Sequence, residues 1–373
     1  MSAAAAVATT TPAAGRYRVA TAADGPALAA MLRDNPMDGP ITLALEREPD
    51  YFAAGRLFGE DTSVIAETAD GDPVGMYGCA MWDSYLNGLP QRCAYLHGLR
   101  VNTAYRRRLR WLRDGYASIP RLAPRWNEAA CCFTSVASDN QQARRLLEAG
   151  LGSLPRYVSQ GEMVTLLLPA RRGRSHGLLR QARREDVPAI CELHRRHAQG
   201  WQFAPCLDEA WLRGLTPAHG LALENFWLHE QDGEPRFCAA LWDQRHCKQT
   251  VARGYHGVLR WLRPGYNLWA RMARRVPLPL VGERMEHVFI AFAAFADDAP
   301  LMLRCLEELL AHVAPMRASS AVLGLSARHP LLRLAQRRFR PLHYRTCIET
   351  VTWPNQDEPV LDGRPVQPEV ALL

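Results

Sequence analysis

Residues 18–28 read RVATAADGPAL, and residues 180–190 read RQARREDVPAI. Arg18, Asp24, Pro26, Ala27 and Leu28 of the first stretch match Arg180, Asp186, Pro188, Ala189 and Ile190 of the second. The offset is 162 residues (180 − 18). Gly71-Asp72-Pro73 recurs at that offset as Gly233-Glu234-Pro235. Each is followed by an apolar run ending in Trp-Asp, at Trp82-Asp83 and at Trp242-Asp243. A long fixed period sets the number of units before any element is assigned. The chain therefore reads as two copies of one unit.

The composition allows this. The chain has 373 residues, 48% of them apolar, enough for two ordinary cores. No apolar run approaches the roughly 18–20 residues of a membrane span. Residues 1–15 are rich in Ala, Thr and Pro and lack the basic start of a signal peptide, so they read as a disordered leader. A cytoplasmic location is the expectation. The ten cysteines form no paired framework and read as reduced core thiols. The net charge is +7, but only Lys248 is a lysine among 45 basic residues. That Arg bias, with so much Ala and Pro, points to base composition rather than to a polyanionic partner. Nucleic-acid binding is not expected.

Element signals repeat with the copies. In the first, strand Tyr17–Ala20 precedes a helix from Asp24 to about Arg33, with Pro26 in its first turn. A second helix is expected over Leu43–Leu57, interrupted near Pro49. Strands follow at Ser63–Glu67, Val74–Trp82 and Arg92–Val101, the first two joined by the turn at Asp70-Gly71-Asp72. Then come a basic helix near Tyr105–Tyr116, strand Cys131–Ser135, helix Asn140–Ala149 and strand Glu162–Leu168. The second copy repeats the order from Leu179 to Trp353, with a long insert at Gln244–Gly282. Each copy, 16–168 and 178–353, is expected to form its own mixed α/β sheet flanked by helices. Residues 169–177 are the linker, and 354–373 a Pro-rich tail.

This element order, twice, resembles the GNAT superfamily of N-acyltransferases, in a tandem arrangement. Leu99-Arg100-Val101 running into Tyr105-Arg106-Arg107-Arg108 resembles the donor-binding strand and turn of that family. Asn140-x-x-Ala143-x-x-Leu146-Leu147-x-x-Gly150 resembles its later helix. The resemblance implies an acyl-CoA co-substrate, acetyl or longer, or an acyl carrier protein. It also implies an amine-bearing small molecule or peptide as acceptor, and no metal. Leu99, Val101, Arg106, Arg107, Arg108 and Asn140 are then the donor-binding candidates. A helix N-terminus with close glycines suits a pyrophosphate. Here the glycine positions counted from Arg106 hold Leu109 and Trp111, so the three arginines would have to grip phosphate instead. The family's Tyr general acid falls on Leu147 and does not transfer.

The residues themselves suggest further candidates. His97, on the central strand, can take a proton near neutral pH. Glu286 and His287 open the matching strand of the second copy and are the other acid–base candidates. Asp297-Asp298 stand where that copy would receive a phosphate, so donor binding is expected in the first copy only. Trp242, Asp243 and Lys248 are assigned to the acceptor pocket, Lys248 because a lone ammonium persists where arginine is otherwise used. Cys191, His194 and His197 are spaced about 300° and 600° along a helix, poor for a metal. The expected function is N-acyl transfer. The alternative is an inactive GNAT-like binding module.

Overall fold

The computed structural model describes residues 16–37, 39–105, 109–140, 154–171, 176–216, 219–273, 275–296 and 298–373. The first copy contributes β1 (Arg16–Val19), α1 (Gly25–Asp34), β2 (Ile41–Glu46), β3 (Glu60–Glu67), β4 (Pro73–Leu86) and β5 (Leu89–Val101). It continues with α2 (Leu109–Leu122), β6 (Cys131–Ala137) and β7 (Arg156–Pro169). The second contributes β8 (Arg180–Gln181), α3 (Val187–Ala198), α4 (Glu209–Arg213), β9 (Phe226–Gln231), β10 (Glu234–Trp242) and β11 (Gln249–Tyr255). After these come α5 (Leu259–Met272), β12 (His287–Phe295), α6 (Ala299–Ala311), β13 (Ser320–Ser326), α7 (Pro330–Phe339) and β14 (Leu342–Thr352).

The repeated Arg-x5-Asp token is a structural clamp. The Arg18 guanidinium bridges both oxygens of Asp24, each at 2.8 Å, and reaches Glu67 on β3. Arg180 does the same with Asp186 and with Glu230 on β9. Each clamp ties the first strand of its copy to the turn before the first helix and to the neighbouring strand. The Asp24 carboxylate accepts from Thr21 N at 2.7 Å, so it fixes that turn rather than capping α1 directly.

Two self-contained sheets were the expectation, and the strands correct it. One sheet of twelve strands runs β1-β3-β4-β5-β6-β14-β7-β13-β12-β10-β9-β8. Each half keeps the same pattern: three antiparallel pairings and then one parallel, β5 with β6 and β12 with β13. The halves join because each copy gives its last strand to the other. β7 pairs with β13, and β14 pairs with β6. β7 and β14 also pair with each other, from Leu342↔Leu167 to Thr352↔Arg156. The apolar faces explain the exchange. Val164, Leu166 and Leu168 of β7 are fully buried in the core of the second copy. Ile348 and Val351 of β14 complete clusters of the first. Burying such a side chain is worth about 1.5–3 kcal/mol, so each exchanged strand is held by its host core.

A second correction lies at Leu43–Leu57, where the expected α-helix is replaced by a strand and only a short 3-10 turn, Ala54–Arg56, is helical. β2 pairs instead with β11, from Glu46↔Gln249 to Ile41↔Tyr255. The partner strand comes from the insert of the other copy, and Pro49 removes a helical donor just beyond it. Most of the expected helix at Asn140–Ala149 lies outside the described residues.

Candidate functional site

The site is laid out where parallel strands part. β5 and β6 pair from Cys93↔Cys131 to Leu96↔Thr134, and there the pairing ends. Just beyond, β5 carries two residues, Gly98 and Leu99, opposite Tyr77 of β4, since Gly78 pairs with His97 and Met76 with Arg100. This is a β-bulge, which turns a main-chain amide out of the ladder. Gly98 sits at φ +63°, a region that glycine adopts without strain. The second copy has the same device. Phe292 and Ala293 of β12 stand opposite Ala239 of β10, and Phe292 has φ +51°. Tyr77 and Ala239 are 162 residues apart (239 − 77), so the bulges occupy one position of the repeat.

In the second copy that amide has a partner. Phe292 N donates to Glu369 Oε2 at 2.7 Å. Glu369 belongs to the expected Pro-rich tail, which is in fact built into the fold. Gln367 accepts from Ser326 N at 2.5 Å and donates to Gly324 O at 2.9 Å. A Cβ at Gly324 would lie 2.7 Å from Val370 Cβ, so glycine admits the tail there. The tail thus fills the gap between β12 and β13. It continues to Ala371, whose carbonyl accepts from Gln244 Nε2 and from Lys248 Nζ, each at 3.0 Å.

Burial pushes the Glu369 carboxyl from its ordinary 4.5 up to about 7, against the pull of the Ala371 and Phe292 amides and of Lys248. The docked tail therefore keeps a proton that a free tail has lost. Docking is strongest below pH 4.5 and weakens as pH rises through about 7. Lys248, at about 8, stays largely charged across that window. Protection factors for amide exchange at Val370 and Ala371 should fall between pH 4.5 and 7, and Glu369→Gln should flatten the trend. Protection that rises with pH would contradict this assignment.

In the first copy, titratable groups gather beside the bulge. His97 immediately precedes Gly98. Its ring lies over Gly78, where a Cβ would sit 2.1 Å from Cε1, and stacks on Tyr95 at 5.7 Å. His97 Nε2 is 2.8 Å from Asp61 Oδ1 on β3. Burial raises the Asp61 carboxyl, but His97, Arg47 and Lys248 outweigh it and hold the carboxyl below its ordinary range. Arg47 Nη1 lies 3.7 Å from Asp61 Oδ2, and its guanidinium covers the Tyr51 ring at 5.0 Å. The Glu46↔Gln249 pairing explains why Lys248 of the second copy comes next to Arg47 of the first. Burial, and then Arg47, lower the Lys248 ammonium to about 8. The two copies therefore build one cluster of Arg47, Asp61, His97 and Lys248.

The other sequence candidates are placed differently. Leu99 is exposed in the bulge, and Val101 pairs with Gly75 beyond it. Asn140 closes a turn after β6, its N–H donating to Ala137 O at 3.0 Å. Arg106, Arg107, Arg108 and Asp297 lie outside the described residues. Trp111, at an expected glycine position, is buried against Tyr17 and Tyr105 rather than turned to a ligand. Asp298 caps α6 by accepting from Leu301 N at 2.9 Å.

Four candidates of the second copy are held in packed or ion-paired positions. Trp242 is fully buried, donates from Nε1 to His219 O at 2.9 Å and stacks on Phe292. It is part of the core of the second copy. Asp243 grips Arg245 in a bidentate pair, at 2.8 and 2.6 Å. Arg245 also holds Glu286 at 2.5 Å and the carbonyls of Met316 and Arg317. Glu286 is further engaged by Arg284. Burial lowers His287 to about 4, so it is neutral near pH 7. His287 pairs with Ser320 where β12 and β13 are still joined, at the opposite end from the gap. Asp243 and Glu286 thus belong to a structural tie centred on Arg245, and His287 is a buried strand residue beside it. Arg47, Asp61 and Glu369 were missed in the sequence. Asp61 lies in the polar run Glu60-Asp61-Thr62-Ser63 at the start of β3 and gave no signal of its own, whereas Val366, Val370 and Leu372, even numbers of residues apart, were the available signal for the tail.

No protein-family model matches this sequence, and no curated protein matches it either. Solved structures do match in fold. The chain is similar to Saccharomyces cerevisiae N-myristoyltransferase with bound myristoyl-CoA, at a TM-score of 0.61 and 8% identity, over 95% of this chain and 86% of that one. It is similar to a GCN5-related N-acetyltransferase from Sphaerobacter thermophilus, at a TM-score of 0.54 and 14% identity, over 93% and 98%. It is also similar to a GCN5-related glucosamine N-acetyltransferase region of a fungal multi-domain β-N-acetylglucosaminidase, at a TM-score of 0.60 and 12% identity, over 91% and 38%. The fold is therefore similar to that of these solved N-acyltransferase structures. At these identities the likeness is one of fold.

Proposed function

We propose that the chain is an N-acyltransferase that moves an acyl group, acetyl or longer, from coenzyme A or an acyl carrier protein to an amine of a small molecule or peptide. The Glu369 carboxyl on the Phe292 amide carries this reading. In the second copy a side-chain carboxyl oxygen already accepts from a bulge amide, the donor that this reading assigns to a thioester oxygen as it becomes an oxyanion. Preorganised amides aimed at such a charge supply much of the acceleration of acyl transfer. The first copy holds the same bulge at Gly98-Leu99, next to His97.

In this mechanism the donor enters between β5 and β6, and its thioester carbonyl rests on the bulge amide. The acceptor comes from the side of Arg47 and Lys248. His97, held by Asp61 through Nε2–H, takes a proton from the ammonium at Nδ1. The freed amine attacks the carbonyl carbon, the oxyanion is held by the bulge, and the C–S bond breaks as the attacking nitrogen releases its second proton to solvent, which leaves a neutral amide. The proton returns from His97 to the departing thiolate. Asp61 orients the ring and stabilises the imidazolium. Arg106, Arg107 and Arg108 would meet the phosphates ahead of α2. The yeast protein of like fold was solved with myristoyl-CoA, which favours testing a long donor beside acetyl-CoA.

Calorimetric titration with acetyl-CoA and myristoyl-CoA tests the assignment. One site per chain is expected, because the tail fills the second gap. Arg106→Glu with Arg108→Glu should weaken binding by several kcal/mol, since charge-assisted contacts are worth about 1.5–3 kcal/mol each. Two sites, or none for any acyl-CoA, would favour the inactive module instead.

A further inference from the structure

Helix α5 presents an apolar face that nothing among the described residues covers. Its sequence, LRWLRPGYNLWARM, opens by repeating LRWLRDGY of α2 with one change, Pro264 for Asp114. The two helices are not equivalent in the 162-residue repeat, since α2 follows β5 whereas α5 lies in the insert between β11 and β12. In α2 this motif is interior, with Trp111 6% and Leu112 9% exposed. In α5 the corresponding Trp261 is 78% exposed and Leu262 60%. Only Ala270 of α5 is buried. At about 100° per residue, Val258, Trp261, Leu262, Leu268, Trp269 and Met272 fall within one arc of about 120°. All six are more than half exposed. The opposite side holds the helix to the body through Asn267, which bonds Leu278 O and N, and Arg263, which bonds Pro279 O.

Charge decides what covers this face. Residues 249–282 contain six arginines and no Asp or Glu. Arg260 lies against Trp261 at 5.5 Å, and Arg275 against Trp269 at 5.9 Å, so cations flank the exposed rings. A second copy of the chain would bring these arginines against their own equivalents. An anionic bilayer offers hydrocarbon to the stripe, an interfacial layer to the tryptophans and phosphate to the arginines. Among the described residues no helix is long and apolar enough to cross a membrane, so α5 can lie only in the surface plane. We infer that α5 docks this protein, by its Trp261–Met272 face, onto the surface of an anionic lipid bilayer.

The test is flotation of the full chain with phosphatidylcholine vesicles, with and without phosphatidylglycerol. Wild type should partition onto the anionic vesicles, with a blue shift in tryptophan emission, and much less onto phosphatidylcholine alone. Trp261→Glu with Leu268→Glu should lower partitioning by at least about tenfold. Its melting temperature should match wild type, because these side chains face solvent. Arg260→Glu with Arg271→Glu keeps the stripe and should abolish the preference for phosphatidylglycerol. Absence of wild-type partitioning, or equal partitioning of the Trp261→Glu/Leu268→Glu variant, overturns the inference. Self-association lost in that variant, without vesicle binding, assigns the face to a second copy and overturns it as well.

Discussion

Replacing His97 by Gln should lower the rate constant of acyl transfer by about 10²–10⁴-fold, the range for a positioned general base. The side chain is 11% exposed and reaches across β4 to the Asp61 carboxylate of β3, so its loss should act mainly on chemistry. Single-turnover transfer from an acyl-CoA to a panel of amines is the measurement, with acyl-CoA affinity followed in parallel. Affinity should hold, because the donor rests on the bulge amide and not on the ring. Two variants separate the causes. Asp61→Asn keeps an acceptor oxygen near Nε2 but removes the charge that stabilises the imidazolium, and should cost less than His97→Gln. Gly78→Ala puts a methyl 2.1 Å from Cε1 and should swing the ring away, lowering the rate with His97 still present. An unchanged rate in His97→Gln would transfer the proton to water and remove the histidine from the mechanism.

The second large effect is on stability. Trp242→Ala should destabilise the chain by about 3–5 kcal/mol, the usual cost of emptying a large buried site. The indole is fully enclosed between Phe292 and the core of the second copy, and its N–H has a carbonyl partner. The urea midpoint should fall, while the KM for acceptor, read at a temperature where the variant is folded, should stay near wild type. An unchanged midpoint with a raised KM would restore the acceptor role that the sequence suggests.

These outcomes bear on what a single sequence discloses. Most strand and helix positions of both copies were legible, because alternating and helical apolar spacing is local information. The segment Leu43–Leu57 was not. Its strand exists through pairing with β11, some two hundred residues away, and tertiary pairing overrides local preference. The Trp-Asp tokens misled for a different reason. Register sets Ala80 against Trp242, since Gly78 and Ala240 are the 162-residue pair beside the bulges. Trp82-Asp83 and Trp242-Asp243 are therefore alike without being equivalent. His97 was named as a candidate because a histidine on the central strand carries its chemistry in its side chain. Asp61 and Arg47 take their meaning from distance to His97 and Lys248, which spacing does not encode.

The exchanged strands also set a timetable for the protein's birth. When β7 leaves the ribosome the first copy has five of its strands, yet the strand that seals the edge of β6 is β14. That strand begins 173 residues later (342 − 169). At about 5–20 residues per second, translation leaves that edge open for roughly 10–35 seconds. An unpaired edge beside apolar Cys131, Cys132 and Phe133 is a template for wrong pairing between nascent chains. The last ladder to close is thus also the seam between the copies. A polysome crowded with half-made chains is where this architecture is most exposed to error, and a slow codon run before β14 would lengthen the hazard.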